Sequence, residues 1–256
     1  MKTAVLFHGL VQRSLPHVIG SIRDCLLAPL EARGEVRIFH HTWDVPRLEN
    51  LRAGEVADAP DPGEVERLLP ESDGEIDNEA AFARMIDWSE AFADNPMRHH
   101  GVSGKAAEAT LRNLVLTAHS AERVFDRFAE SGFAADLVVV SRADLGFLKR
   151  LDVPDPLAEW SVYVPAFHGW GGINDRFAFG EPRAMEIYSR RSAFLEGWLL
   201  NPGRRNPEWV LMRWLKWHLV AVEAIDFPFR RVRANGSVFP LDQGISASEP
   251  GERPSQ

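Results

Sequence analysis

The feature that most constrains this chain is a succession of short apolar runs, each closed by polar or glycine residues and set apart by stretches of helical period. TAVLF (residues 3–7) ends at His8-Gly9, EVRIFHHTW follows a break at Gly34, and DLVVV begins at Asp136. Short runs of branched and aromatic residues bounded in this way read as strands. A helical segment over 16–30 separates the first two runs. Strand–helix–strand order builds a parallel sheet, because parallel neighbours need a crossover connection. The longest helix is expected over 103–129, where Leu111, Leu114, Val115, Ala118, Phe125 and Phe128 recur at helical spacing and Gly132 is placed to end it. Further helices are expected over 79–93, 182–200 and 207–222, with strands at WSVYVP and over 225–233. Trp209, Trp214 and Trp217 read as core aromatics of the last helix. The expected fold is α/β, a single Rossmann-like domain over 1–240 whose mostly parallel central sheet is flanked by helices. Residues 51–78, rich in Asp, Glu, Pro and Gly, read as an acidic loop insertion with at most a short helix, and 241–256 as a disordered tail.

Charge narrows the function classes. The net charge of −8 argues against a general nucleic-acid binder, although a few placed arginines still suffice for a small anion. The single cysteine, Cys25, has no partner for an internal disulfide and sits among apolar neighbours, which implies a packed thiol in a reducing compartment. No apolar run approaches the ~20 residues of a membrane span, and KTAVLFHGL is too soon interrupted for a secretory signal. A cytoplasmic location is therefore expected, with peripheral attachment at the inner membrane face left open for a lipid-linked substrate.

In open α/β sheets ligands lie beyond the carboxyl ends of the strands, and three such ends here are polar. HGLVQR offers Gly9, for close backbone approach, and Arg13, for a forked contact to phosphate. SRADLGF offers Arg142 and Asp144, on one face by the period of two; they suit a diphosphate with a metal or ribose, or simply each other in a salt bridge. The loop PAFHGWGGINDR holds His168, Trp170, Gly171, Gly172, Asn174 and Asp175. Asp175 suits a base or a hydroxyl ligand and Trp170 a sugar face; alternatively, Asn174 and Asp175 cap a glycine turn. His40 and His41 are adjacent on a strand and point to opposite faces, so they are not read as a metal pair. His99-His100 reads as a surface loop. No Cys-x5-Arg, DxDxT-like, GxSxG or Walker pattern is present, and GVSGK lacks the Walker spacing.

Four blocks in order, HGLVQR, FHHTWD, ADLVVVSRADLGF and PAFHGWGGINDRFAFGEPRAMEIY, resemble those of a bacterial polysaccharide-biosynthesis glycosyltransferase-like family. The resemblance spans about residues 5–235, and its most specific block is 171–188. It implies a GT-A-type domain that moves a sugar from a nucleotide-sugar donor to a glycan or lipid-linked acceptor. It also implies a divalent metal, manganese or magnesium, at an Asp-x-Asp position. Here Arg142 stands where the first aspartate would be, leaving Asp144 as the one carboxylate. By this resemblance Gly9, Arg13, Arg142 and Asp144 bind the nucleotide-sugar, with Asp144 also the metal ligand and a catalytic residue. His168, Trp170, Gly171, Gly172, Asn174 and Asp175 face the acceptor or sugar, and Asp175 is catalytic. Alanine at Asp144 or Asp175 is then expected to stop transfer and leave the fold intact. The rival expectation is a non-catalytic nucleotide or glycan binder that retains the fold.

Overall fold

A computed structural model describes residues 1–50, 55–58, 60–86, 88, 104–193 and 206–247, with backbone alone for 49–50 and 104–107. Its centre is a seven-stranded sheet in the order β10-β8-β9-β6-β1-β2-β5. These are β1 (Lys2–His8), β2 (Glu35–Asp44), β5 (Ser72–Asn78), β6 (Leu137–Arg142), β8 (Ser161–Pro165), β9 (Phe177–Gly180) and β10 (Ala221–Ile225). Only β9 runs against the others in this sheet. The result is a mixed, mostly parallel sheet flanked by helices, a generic Rossmann-like α/β arrangement. Two short antiparallel pairs lie outside it: β3 (Arg47–Asn50) with β4 (Glu55–Asp58), and β7 (Leu145–Phe147) with β11 (Phe229–Arg231).

The side-chain period of two divides the apolar residues between two cores. Val5 and Phe7 of β1, with Leu137 and Val139 of β6, face one layer, filled by Leu15, Val18, Ile22 and Leu26. Those four lie on helix α1, which is α-helical over Leu15–Ser21, widens to a π-turn over Ile22–Leu27 and closes over Ala28–Glu31. Pro29 has no N–H to bond the Cys25 carbonyl, and the Leu151 N–H takes that carbonyl instead, at 2.7 Å. Cys25 itself packs half-buried against this core, and burial pushes its thiol up. Ala4 and Leu6, with Val138 and Val140, face the opposite layer. There they meet Val124, Phe125 and Phe128 of α4 (Gly104–Glu130), Met185 and Tyr188 of α5 (Pro182–Ser189), and Leu211 and Leu215 of α6 (Pro207–Trp217).

Several segments differ from the sequence expectation. The acidic stretch contains a helix, α2 (Gly63–Leu68), and also β5, an edge strand paired in parallel with β2. SDGEIDN has poor strand propensity, but its acids fall at alternate positions and so on one face. That face meets α4: Asp73 pairs with Arg127 at 2.6 Å, and Glu75 with Arg123. At Gly74 the Cβ position is filled by the His40 ring, so a side chain has no room there. FAFG, to which the sequence assigned no element, is the reversed strand β9. The helix expected over 207–222 stops at Trp217, and Ala221–Ile225 is the edge strand β10. The strand expected over 225–233 is reduced to β11. Of the helix over 79–93, α3 (Glu79–Ala83) is helical, and most of the remainder lies outside the described residues, as do 194–200 and His99-His100. The expected tail begins as ordered chain, with a 3-10 turn over Pro240–Asp242 and Asp242 fully buried; 248–256 lies outside the described residues. Among the described residues no helix is long and apolar enough to cross a membrane.

Candidate functional site

Beyond the carboxyl ends of β1, β2 and β6 lies a cleft of about 970 Å³. It stands where the topology predicts a ligand. From β1 the chain first pairs to one side with β2 and later to the other with β6, leaving a crevice at the point of reversal. The described residues lining it include eight arginines and six carboxylates, so this surface is locally cationic in a chain whose net charge is −8.

The first wall follows β1. Gly9 takes a φ of +96°, in the left-handed region that favours glycine, and its N–H donates to Ser120 Oγ at 2.7 Å. Gln12 is fixed against β2, donating from Nε2 to the Trp43 carbonyl at 2.9 Å, while the Val11 N–H donates to Thr42 Oγ1 at 3.0 Å. This tether aims Arg13 at Asp144, with Nη2 at 2.5 Å from Oδ2. Arg142, the last residue of β6, grips the same carboxylate with two prongs: Nε to Oδ1 at 2.9 Å, and Nη2 to Oδ2. The structure therefore brings Gly9, Arg13, Arg142 and Asp144 to one wall. Asp144 is buried, which opposes ionisation, but the charges of Arg142 and Arg13 overcome this and hold its carboxyl well below the usual carboxylate range.

The second wall is the glycine loop docked on the first turn of α6. A Cβ on Gly172 would lie 2.1 Å from the Glu208 carbonyl oxygen, so only glycine permits this approach. The Ile173 N–H then donates to that carbonyl at 3.2 Å. Docking sets Asp175 and Glu208 around Arg176, whose Nη1 is 3.0 Å from Asp175 Oδ1 and whose Nη2 donates to Glu208 Oε1 at 2.7 Å. All three residues are buried and line the cleft. Burial and the charge of Asp175 push the Glu208 acid up to about 7, against the pull of Arg176. That is the range in which a carboxylate accepts a proton near neutrality.

Not every residue of this loop faces the cleft. Trp170 and Asp175 do. The amide of Asn174 serves the loop itself, with Nδ2 donating to the Phe167 carbonyl and Oδ1 accepting from the Arg176 N–H, both at 3.0 Å. Gly171, at φ +81°, and Gly172 shape the turn. His168 stacks under Trp170, with ring centroids 4.8 Å apart at 13°, and lies 3.8 Å from Asp242. Burial, with the charges of Arg231 and Arg176, lowers His168 to about 4 against the pull of Asp242, so it is neutral at physiological pH. His168, Gly171, Gly172 and Asn174 thus support the wall rather than form it.

His8, Arg176, Arg191 and Glu208 also line the cleft, and none was singled out in the sequence. Arg176 adjoins Asp175 in NDRF, which was a usable signal. Glu208 sits in PEW at a helix start, where an acid is ordinary dipole compensation and carries no functional mark.

The arrangement does not fit a divalent cation at Asp144. Both its oxygens accept from guanidinium groups, and Asp175 and Glu208 share a third. A hard cation takes several oxygen ligands, and here it would have to displace arginines to gain them. Among the described residues no group of three or more His, Cys, Asp or Glu side chains is placed to hold a metal ion. His40 and His41 do point apart, to Ser72 and to Ser120 with Asp77.

Compared with known proteins, the chain matches no protein-family model and no curated protein.

Proposed function

We propose that this protein is a nucleotide-sugar-dependent glycosyltransferase with a GT-A-like domain, acting on a glycan or lipid-linked acceptor in polysaccharide biosynthesis. The observation that supports the reading is the cationic cleft, in an otherwise acidic chain, at the reversal point of a parallel sheet. A nucleoside diphosphate is an anion that such a surface suits, and Arg13 and Arg142, held rigid by Asp144, supply forked donors. Trp170, about half exposed, offers an aromatic face to a sugar.

Transfer would break the bond between the anomeric carbon and the donor phosphate, whose electron pair leaves with the nucleoside diphosphate. The acceptor oxygen forms the new bond as its proton passes to a carboxylate. Asp175 and Glu208 are the candidates on the acceptor side, and the arginines stabilise the charge developing on the leaving group. Asp144 is a positioning residue in this scheme. The cationic donor set implies that no metal is required.

A non-catalytic binder is the second reading. It is favoured by the engagement of both Asp144 oxygens with arginine, which leaves no free carboxylate at the end of β6. Thermal stability is to be measured against UDP-, GDP-, CMP- and dTDP-sugars, with and without manganese, followed by assay of nucleotide release with glycan and lipid-linked acceptors. A ligand bound only by the native state raises its melting temperature. Stabilisation by one nucleotide class, unaffected by manganese and accompanied by nucleotide release, supports the transferase. Stabilisation without release supports the binder. No stabilisation across the panel overturns the transferase and the nucleotide binder, and leaves a binder of another ligand, such as a glycan.

A further inference from the structure

Among the described residues, two buried side chains that line the cleft, Arg191 and His8, have polar atoms without a hydrogen-bond partner, and so does Tyr188 beneath Arg191. Arg191 follows α5 and is only 3% exposed. Its Nη1 donates to the Tyr188 carbonyl at 3.1 Å, and its guanidinium lies 5.0 Å from the centroid of the Tyr188 ring, but Nη2 has no hydrogen-bond partner. No described carboxylate forms an ion pair with it. His8, at the end of β1, is 1% exposed, and neither ring nitrogen is bonded. The Tyr188 hydroxyl is likewise orphaned.

Such groups are rare in folded proteins, since each forfeits its hydration without replacement, and a buried unpaired guanidinium costs most. The vicinity holds carboxylates, yet the structure spends them elsewhere. Asp144 is committed to Arg13 and Arg142 and Glu208 to Arg176, while Asp175 is ion-paired with Arg176 though not hydrogen-bonded to it. Water would satisfy the hydrogen bonds here and leave the charge on Arg191 uncompensated. A partner that answers both needs is an anion rich in acceptors.

We infer that Arg191 and His8 form the seat of a phosphate group in the cleft, separate from the Arg13–Arg142–Asp144 cluster. A phosphate brings acceptors in several directions and the negative charge that Arg191 lacks. His8 serves as a neutral donor from one ring nitrogen. Burial, followed by the charges of Arg191 and Arg142, holds its pKa well below the ordinary imidazole value; Asp144 opposes this and His41 adds to it. The inference goes beyond the proposed activity, because a protein that binds anions without catalysis would need the same seat.

The test uses the full chain, with inorganic phosphate, pyrophosphate, UDP and GDP as probes at matched ionic strength. Calorimetry compares wild type with Arg191→Gln and His8→Gln, and NMR follows the His8 ring protons in the wild type. Pyrophosphate is expected to bind the wild type, to bind Arg191→Gln about tenfold or more weakly, and to shift the His8 resonances. Equal affinity in wild type and Arg191→Gln, or no binding at millimolar probe, overturns the seat. If Arg191→Gln does not fold, the His8 resonances decide: a shift on adding pyrophosphate upholds the seat and an unchanged spectrum overturns it. Nucleoside diphosphates that bind no more tightly than pyrophosphate, with the Arg191 dependence intact, uphold the seat while removing the support for a nucleotide donor.

Discussion

The Arg176 guanidinium lies between two buried carboxylates, 3.0 Å from Asp175 and 2.7 Å from Glu208. One cation shared by two acids cannot neutralise both fully in a desolvated site. The strain falls on Glu208, whose acid burial and Asp175 push up to about 7.

Glu208 therefore disfavours the folded state as pH rises. Its folded pKa lies above its unfolded value, so its contribution is fully present below about pH 4.5 and is lost as pH passes about 7. Glu208→Gln keeps an acceptor for Arg176 and removes this titration. Relative to wild type, it should gain about 1–3 kcal/mol between pH 5 and pH 8 in urea denaturation. A pH-independent difference between the two proteins would contradict the assignment.

Asp144 carries the opposite linkage. Its carboxyl is held below the usual range, so its contribution is complete above the ordinary carboxylate value and fades as acid protonates it. Asp144→Ala strands two guanidinium groups, and a loss of roughly 3–5 kcal/mol at neutral pH is expected. This prediction departs from the sequence expectation, in which alanine at Asp144 leaves the fold intact. Denaturant midpoints at pH 7 test it, and a variant as stable as the wild type would show the pair to be dispensable.

Gly172→Ala should separate Asp175 from Glu208 without altering either side chain. The new methyl would overlap the Glu208 carbonyl, which is backbone and cannot swing aside. The loop must lift from α6, at a cost of about 1–3 kcal/mol. The pH dependence assigned to Glu208 should weaken in the same variant, because Asp175 moves away. Unchanged stability with an unchanged pH profile would refute the docking.

Gly74→Ala probes the sheet edge instead. Its methyl would occupy the His40 ring position, and that ring is itself bonded to Ser72 at 3.0 Å. Destabilisation of about 1–3 kcal/mol is expected, with any ligand affinity of the cleft retained. Loss of affinity together with stability would mean that β5 and the cleft are coupled.

The strands legible in the sequence are those with dense apolar runs, TAVLF, VRIF, LVVV and VYV, because burial on both faces leaves a continuous hydrophobic signature. The edge strand SDGEIDN was hidden. Its pairing is satisfied by β2 and its acids by Arg123 and Arg127, partners remote in the chain. AVEAI was hidden likewise, at the opposite edge, where apolar density is not required. For the cleft, the charged residues at strand ends were readable, because a strand that ends in charge has its tip at the surface. Arg13, Arg142 and Asp144 all lie at that cleft, where the Arg142–Asp144 contact is the salt bridge that the sequence left open as an alternative and the Arg13 contact was not foreseen, while Asn174 and the two glycines shape the loop.

The sequence by itself determined the α/β class, the parallel centre of the sheet and the strand ends that face the cleft. Periodicity and apolar density are local properties, and a chain carries them before it folds. Only the tertiary structure decided which charges meet. It placed Arg13 on Asp144 across a sequence separation of 131, joined Arg176 to Glu208, and left Arg191 and His8 buried with unmet hydrogen-bonding capacity. Whether a carboxylate is a free ligand or a spent counterion depends on neighbours brought from other elements, and on the low dielectric that burial creates.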